Sequence, residues 1–144
     1  MSIAKTNVFF DSSVIIAGLA STKEGSYMVL ALAEMGVIHP VISELVVRET
    51  LKNIRKKLPQ SLASYYILFK KLPFQLIEPD QNALEQAIQL INEKDAPILA
   101  AAITAEVDYL LSLDKHFLEL RSGDSLGFPI CTPGKFLEHF FNTQ

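Results

Sequence analysis

Short apolar runs alternate along the chain with longer segments of helical periodicity, and this alternation constrains the fold more than any other feature. The runs predict five strands, over residues 7–10, 38–42, 74–77, 109–111 and 129–131. Strands separated by helices are typical of crossover units, which build a parallel sheet. Because 144 residues without repeats or a linker can bury one core, we predict a single α/β domain over residues 1–144.

Capping residues and the spacing of apolar side chains predict the helices between these strands. The predicted helices run from Ser12 or Ser13 to Leu19, over residues 25–35, from the N-cap Ser43 to Lys57, over residues 60–71, from the N-cap Asp80 to Glu93, from Asp95 onward, and from Thr132 to Phe141. Within the third helix, the spacing predicts a buried stripe of Val47, Leu51, Ile54 and Leu58.

Composition narrows the classes of protein to which the chain can belong. The single cysteine, Cys131, excludes an internal disulfide and fits a reducing compartment. Lys5 and the apolar run over residues 8–20 have the outline of a signal peptide, but Asp11 interrupts that run, and no run is long enough to span a membrane. We therefore expect a cytoplasmic protein. Its net charge of −3 gives no general attraction to nucleic acid, so such binding needs a local basic patch.

Four carboxylates stand out by their positions. Asp11 and Asp114 follow the first and fourth strands, Asp95 heads a helix on the same face as its apolar stripe, and Glu49 lies at the edge of the stripe of the third helix. Ligand sites in open parallel sheets form beyond the carboxyl ends of the strands. A carboxylate buried there is costly unless it is paired, hydrogen-bonded or bound to a metal.

Each carboxylate also has an ordinary explanation. Asp95 can be an N-cap, Asp114 can cap a short helix that follows it, Glu49 can be a solvated helix residue, and Asp11 can lie in the first helical turn. Taken together on converging elements, they favour a site for one or two Mg²⁺ or Mn²⁺ ions, which prefer oxygen ligands. His39, His116 and His139 are scattered, so no zinc site is expected; His116 either contacts substrate or lies on a helix surface.

The order of these motifs resembles the PIN domain family, and most closely its small bacterial and archaeal members, many of them VapC-type toxins. The resemblance rests on "DSS" from Asp11, "SELVVRE" ending at Glu49, "DAPILAAAI" from Asp95 and "LLSLDKHF" with Asp114. It implies a three-layer α/β/α fold with a central five-stranded parallel sheet, and metal-dependent ribonuclease activity. It further implies a possible antitoxin partner and a possible homodimer.

By this resemblance, Asp11, Glu49, Asp95 and Asp114 are the acidic quartet that binds Mg²⁺ or Mn²⁺ and orients the attacking water. Two further sets of side chains would support this site or bind substrate: Ser12, Ser13 and Ser112 beside the quartet, and Lys52, Lys56 and Lys115 toward the RNA, with Arg121 as a lesser candidate. Many relatives carry Asn at the position of Ser13. Serine keeps a hydrogen-bonding group there but reaches less far.

Several alternatives stay open at this point. The basic face of Lys52 and Lys56, three and seven residues beyond Glu49, can equally serve solubility. Asp108 is interpreted as a turn residue, and Glu44 as a first-turn acid that suits the helix dipole. Two other functions compete with the ribonuclease: an interaction module of the same fold without turnover, and a haloacid-dehalogenase-like phosphatase. The phosphatases usually carry a second Asp where this chain has Ser13.

Overall fold

Five parallel strands form one sheet. They are β1 (Thr6–Phe10), β2 (Ile38–Ile42), β3 (Gln75–Leu76), β4 (Tyr109–Leu111) and β5 (Ile130–Cys131), in the spatial order β3-β2-β1-β4-β5. The structure, a computed structural model, describes residues 4–22, 25–120 and 126–143. All five predicted strands are confirmed, and the order of the sheet makes β1 its central strand.

Helices cover both faces of this sheet. They are α1 (Ser12–Ala20), α2 (Gly25–Glu34), α3 (Glu44–Lys57), α4 (Leu62–Lys71), α5 (Gln81–Ile88), α6 (Ala96–Ala105), α7 (Lys115–Leu118) and α8 (Pro133–Asn142), with a 3₁₀ turn at Pro59–Ser61. Val8, Phe9 and Phe10 of β1 are all fully buried. Because successive side chains of a strand point to opposite faces, burial of all three requires a layer on each side. The predicted three-layer α/β/α architecture is therefore confirmed.

The buried stripe of α3 differs from the predicted one. Its fully buried residues are Val46, Thr50 and Ile54, whereas Val47 and Leu51 are only partly buried. Thr50 tolerates burial because its hydroxyl donates to the Val46 carbonyl oxygen, at 2.7 Å, and so leaves no unsatisfied polar group. Of the predicted stripe, Ile54 is confirmed, whereas Val47, Leu51 and Leu58 are only partly buried, so the buried face is turned by about one residue around the helix.

Helix α5 is also shorter than predicted, since it ends at Ile88 and not at Glu93. The backbone turns twice after it: the Leu90 N–H donates to the Ala87 carbonyl at 2.9 Å, and the Asp95 N–H to the Asn92 carbonyl at 3.2 Å. These turns redirect the chain before α6 begins. Within the described ranges, no helix has the length and apolar character needed to cross a membrane.

Candidate metal centre

The pairing of β1 with β4 places Asp11 beside Ser112. Phe10 is in register with Leu111, and the Asp11 N–H donates to the Leu111 carbonyl oxygen at 3.0 Å. The next residue of each strand therefore emerges at the same point of the sheet edge. Asp11 is the N-cap residue of α1, but its side chain makes no capping hydrogen bond. The predicted capping by Ser12 or Ser13 is wrong, and the Asp11 carboxylate serves neither as cap nor as first-turn acid.

Two serine hydroxyls hold the Asp11 carboxylate. Ser13 and Ser112 each donate to its Oδ2 atom at 2.8 Å. Each serine Oγ in turn accepts a backbone N–H at 3.0 Å: Ser13 from Leu113, and Ser112 from Asp114. Each serine therefore donates its hydroxyl proton to Asp11. Through these bonds, the carboxylate is held against the loop between β4 and α7. Ser13 makes both bonds despite its short side chain.

Glu49 approaches this carboxylate from α3. That helix begins after the N-cap Ser43, whose hydroxyl oxygen accepts the Val46 N–H at 3.3 Å. Glu49 follows in the second turn, where it is half-buried, and its Oε2 accepts a hydrogen bond from the Ser12 hydroxyl at 3.3 Å. Glu44 does not join the site, because it is exposed and pairs with Arg48 at 2.8 Å.

Asp95 is buried, with 7% of its surface exposed, although it is the N-cap residue of α6. Its carboxylate makes no capping hydrogen bond, so the N-cap explanation is wrong. Instead, the Asn92 amide nitrogen donates to Asp95 Oδ2 at 2.9 Å, and the Asp95 N–H donates to Asn92 Oδ1 at 3.0 Å. Asn92 was not predicted from the sequence. The only indication of its role there is its position three residues before Asp95.

Asp114 has two roles. Its Oδ1 accepts the His116 N–H at 2.8 Å and so caps α7, as the alternative explanation proposed. The same carboxylate belongs to a cluster in which ligand atoms of Asp95, Asp114 and His116 all lie within 4.8 Å of one another. The His116 Nδ1 atom is 3.3 Å from Asp114 Oδ1 and 3.9 Å from Asp95 Oδ2. His116 is therefore exposed, yet directed at the carboxylates.

Burial and neighbouring carboxylates raise the pKa values of Asp11 and Glu49. Burial raises the pKa of Asp11, as does the negative charge of Asp114, while the hydrogen bonds from Ser13 and Ser112 oppose that rise. Burial also raises the pKa of Glu49, to which the charges of Asp11 and Asp95 add. A bound cation would offset this repulsion. The structure thus brings all four predicted carboxylates to one edge of the sheet.

The chemistry of these donors fits a hard divalent cation. Carboxylate oxygens suit Mg²⁺ and Mn²⁺, and an imidazole nitrogen is accepted more readily by transition metals than by Mg²⁺. Thiolate ligation has no support, because burial raises the pKa of the Cys131 thiol to about 11 and so leaves little thiolate at neutral pH.

The remaining predicted residues lie around this centre. Lys52 and Lys56 line a cavity of about 230 Å³ together with Glu49, and Lys115 is the exposed first residue of α7. Arg121 lies outside the described residues. Asp108 lies at a bend just before β4, where its N–H donates to the Asn7 carbonyl oxygen at 2.8 Å and its Oδ2 accepts the Asn7 N–H at 2.7 Å.

Comparison with known proteins identifies the family. The PIN domain model matches residues 7–116, which include all four carboxylates. The fold is similar to a chain in the crystal structure of VapBC2 from Rickettsia felis bound to a DNA fragment from their promoter, with a TM-score of 0.63 and 14% identity over 87% of this chain and 97% of that chain. No curated protein matches. Since the family model covers most of its length, the chain belongs to the PIN domain family.

Proposed function

We propose that this PIN domain is a metal-dependent endoribonuclease that hydrolyses RNA phosphodiester bonds, and that it is the toxin of a toxin–antitoxin pair. The observation that carries the proposal is the convergence of Asp11, Glu49, Asp95 and Asp114 beyond the carboxyl ends of β1 and β4. In this proposal they are the catalytic and metal-binding residues of a single-domain protein that acts in the cytoplasm.

Asp95, Asp114 and His116 offer the closest group of donor atoms, and Asp11 and Glu49 add negative charge beside them. When Mg²⁺ or Mn²⁺ is bound, the ion supplies an activated water and stabilises negative charge on the phosphodiester. Ser13 and Ser112 keep Asp11 in one orientation, while Asn92 does the same for Asp95. Ser12 holds Glu49. These hydroxyls and this amide are orienting groups of the kind that determine the affinity of a metal site.

The partner in this proposal is an antitoxin protein. Support comes from the printed description of the similar structure, in which VapBC2 is bound to DNA from its promoter. A homodimer of this chain is also expected, as in related toxins. Co-expression with the product of a neighbouring small gene, followed by co-purification, tests the partner directly.

Cleavage of a mixed pool of tRNA, rRNA and mRNA tests the activity. We expect defined cuts with Mn²⁺ or Mg²⁺ and none after chelation by EDTA, with mapped ends giving the site of cleavage. Cutting that persists in EDTA would contradict the metal-dependent mechanism. If the protein binds RNA but does not cleave it with any added metal, the alternative is favoured, an interaction module of the same fold.

A substitution at Ser13 tests the orienting role of its hydroxyl. Ser13→Ala removes the bonds to Asp11 and Leu113, so we expect cleavage to fall by roughly 10–100-fold, as for other groups that orient metal ligands. Ser13→Asn is the matched control, because an amide can both donate to Asp11 and accept the Leu113 N–H. We expect Ser13→Asn to retain most of the activity. An unchanged kcat/KM in Ser13→Ala would show that the hydroxyl is not an orienting group.

A further inference from the structure

The second half of α3 carries a concentration of positive charge. Arg55, Lys56 and Lys57 occupy its last turn, where cations complement the negative end of the helix dipole. The helix dipole does not account for Lys52, which lies in the middle of the helix, or for Lys94, which lies between α5 and α6. No carboxylate within residues 4–22, 25–120 and 126–143 comes within 4.0 Å of Lys52 or Lys94. Their charges are therefore not neutralised by ion pairs in this part of the chain.

These side chains enclose a cavity of about 230 Å³, which we call the lysine cavity. It is lined by Glu49, Lys52, Asn53, Lys56, Lys57 and Lys94. Glu49, Lys52, Asn53 and Lys56 are spaced at three, four and seven residues, so one face of α3 forms a wall. Lys94 faces this wall from a different segment. Two separate parts of the chain thus contribute ammonium groups to one cavity. Lysines on the solvated face of a single helix would not be arranged in this way.

The lysine cavity adjoins the acidic site on one side. Glu49 belongs to both, and Lys94 directly precedes the buried Asp95. The positive charge of Lys94 acts on Glu49 and opposes the rise that burial causes in the pKa of Glu49. On the other side of Lys52 and Lys56 lies a second, shallower depression of about 400 Å³, which Arg48, Leu51 and Arg55 also line. Lys52 and Lys56 therefore form a basic ridge that leads away from the carboxylates.

We propose that the lysine cavity binds a backbone phosphate of the RNA next to the phosphate that is cleaved, and that Lys52 and Lys94 are its main contacts. This inference rests on the proposed function, since it places the substrate relative to the same acidic site. Four ammonium groups match a repeated, singly charged phosphate, which lysine binds as a point charge without reading sequence. Glu49 is the one acid in the lining, so four lysines leave an excess of positive charge there even without a metal.

The position of the cavity has a consequence for the substrate. From Glu49 to Lys56, α3 rises by about 10 Å along its axis, so the ridge can follow a strand beyond the first flanking phosphate. Lys94 and Asp95 are consecutive in the chain. A phosphate bound by Lys94 would therefore determine which adjacent phosphate of the same RNA strand lies at the carboxylates. Binding energy at the cavity thus selects strands that extend past the cleavage site on that side.

The test compares two double variants that remove the same charge. Lys52→Gln with Lys94→Gln changes the lysine cavity, and Lys70→Gln with Lys71→Gln changes the exposed end of α4. Affinity for a fluorescent single-stranded RNA is measured by anisotropy in EDTA over a salt series. We expect the cavity variant to bind at least about tenfold more weakly and to lose about 0.7 from the slope of log K against log salt, since the slope changes by roughly 0.7 per phosphate contact. The α4 variant should keep the slope of the wild type.

The inference would be overturned by equal losses in both variants, by an unchanged cavity variant, or by a wild type that binds no RNA. Polyglutamate is run in parallel, and lysine-dependent binding of that peptide alone would assign the surface to an acidic protein segment. The failures of the two proposals are distinguishable. If the cavity variant loses RNA binding while the wild type cleaves nothing, the nuclease proposal fails alone. If the wild type cleaves and the cavity variant keeps its KM, the cavity proposal fails alone; a raised KM with little change in kcat supports it.

Discussion

Asp11→Asn is expected to abolish RNA cleavage and, in the same molecule, to raise the melting temperature of the metal-free protein. The loss of activity should exceed the roughly 100-fold that substitutions of orienting groups cost, because Asp11 is a proposed ligand. The gain in stability follows from burial, since Asp11 is 4% exposed and its pKa is raised. Asparagine keeps the shape and can accept both serine hydroxyls, but it carries no charge that must be desolvated.

The sign of the pH dependence follows from the same shift. Folding raises the pKa of Asp11, so the folded protein binds the proton more tightly than the unfolded chain does. Wild-type stability therefore falls as the pH rises from the unfolded pKa through the folded pKa. We expect Asp11→Asn to melt about 2–4 °C higher than the wild type at neutral pH, for a gain near 1 kcal/mol. The difference should vanish in acid, where the carboxyl group is protonated in both states.

Asp108→Asn is the matched control for this experiment. Asp108 is an exposed carboxylate that precedes β4, whereas the proposed site lies beyond the end of that strand. Its substitution should leave cleavage intact and should not raise the melting temperature in EDTA. Mn²⁺ should then stabilise the wild type and Asp108→Asn but not Asp11→Asn, as measured by calorimetry. A lower melting temperature for metal-free Asp11→Asn would refute the argument from burial.

Phe10→Ala is expected to have the largest effect on stability. Phe10 is fully buried on the central strand and packs edge-on against Phe74, with ring centroids 6.1 Å apart. Removing such a ring from a core costs about 3–5 kcal/mol. That is a large part of the 5–15 kcal/mol by which domains are typically stable, so much of the variant should be unfolded at 37 °C.

Phe141→Ala provides the control, because Phe141 is 56% exposed near the end of α8. Urea unfolding followed by circular dichroism gives both free energies of unfolding. We expect Phe141→Ala to stay within about 0.5 kcal/mol of the wild type. Comparable losses at both positions would show that the centre of the sheet is not the main source of stability.

Local patterns were sufficient to predict the strands and the four carboxylates. Each strand is a short apolar run; Asp11 stands directly after the first strand, and Asp114 stands three residues after the end of the fourth. Pairing of parallel strands then brings them together, since their carboxyl ends share one edge. The stripe of α3 was mispredicted because Thr50 reads as polar in the sequence. Its hydroxyl is satisfied only once the helix exists and offers the Val46 carbonyl.

Other parts of the site depend on backbone paths that no local pattern specifies. Asn92 reaches Asp95 because two consecutive turns end α5 early, and Lys94 faces α3 for the same reason. His116 lies two residues beyond Asp114, and whether its ring points to solvent or to Asp95 depends on how α7 begins. The sequence therefore predicted the carboxylates and the three serines of the centre, but not Asn92 or Lys94.

The hydrogen bond from Ser112 to Asp11 joins residues that are 101 positions apart in the chain. During synthesis, β4 and the loop that holds Asp11 therefore emerge about 100 residues after β1. Contacts so distant in sequence close late in folding. Prematurely terminated chains that lack β4 would carry Asp11 and Glu49 without Asp114 or the serine that orients Asp11. In the proposed nuclease, the acidic site would therefore be complete only after β4 and the loop that follows it have been made.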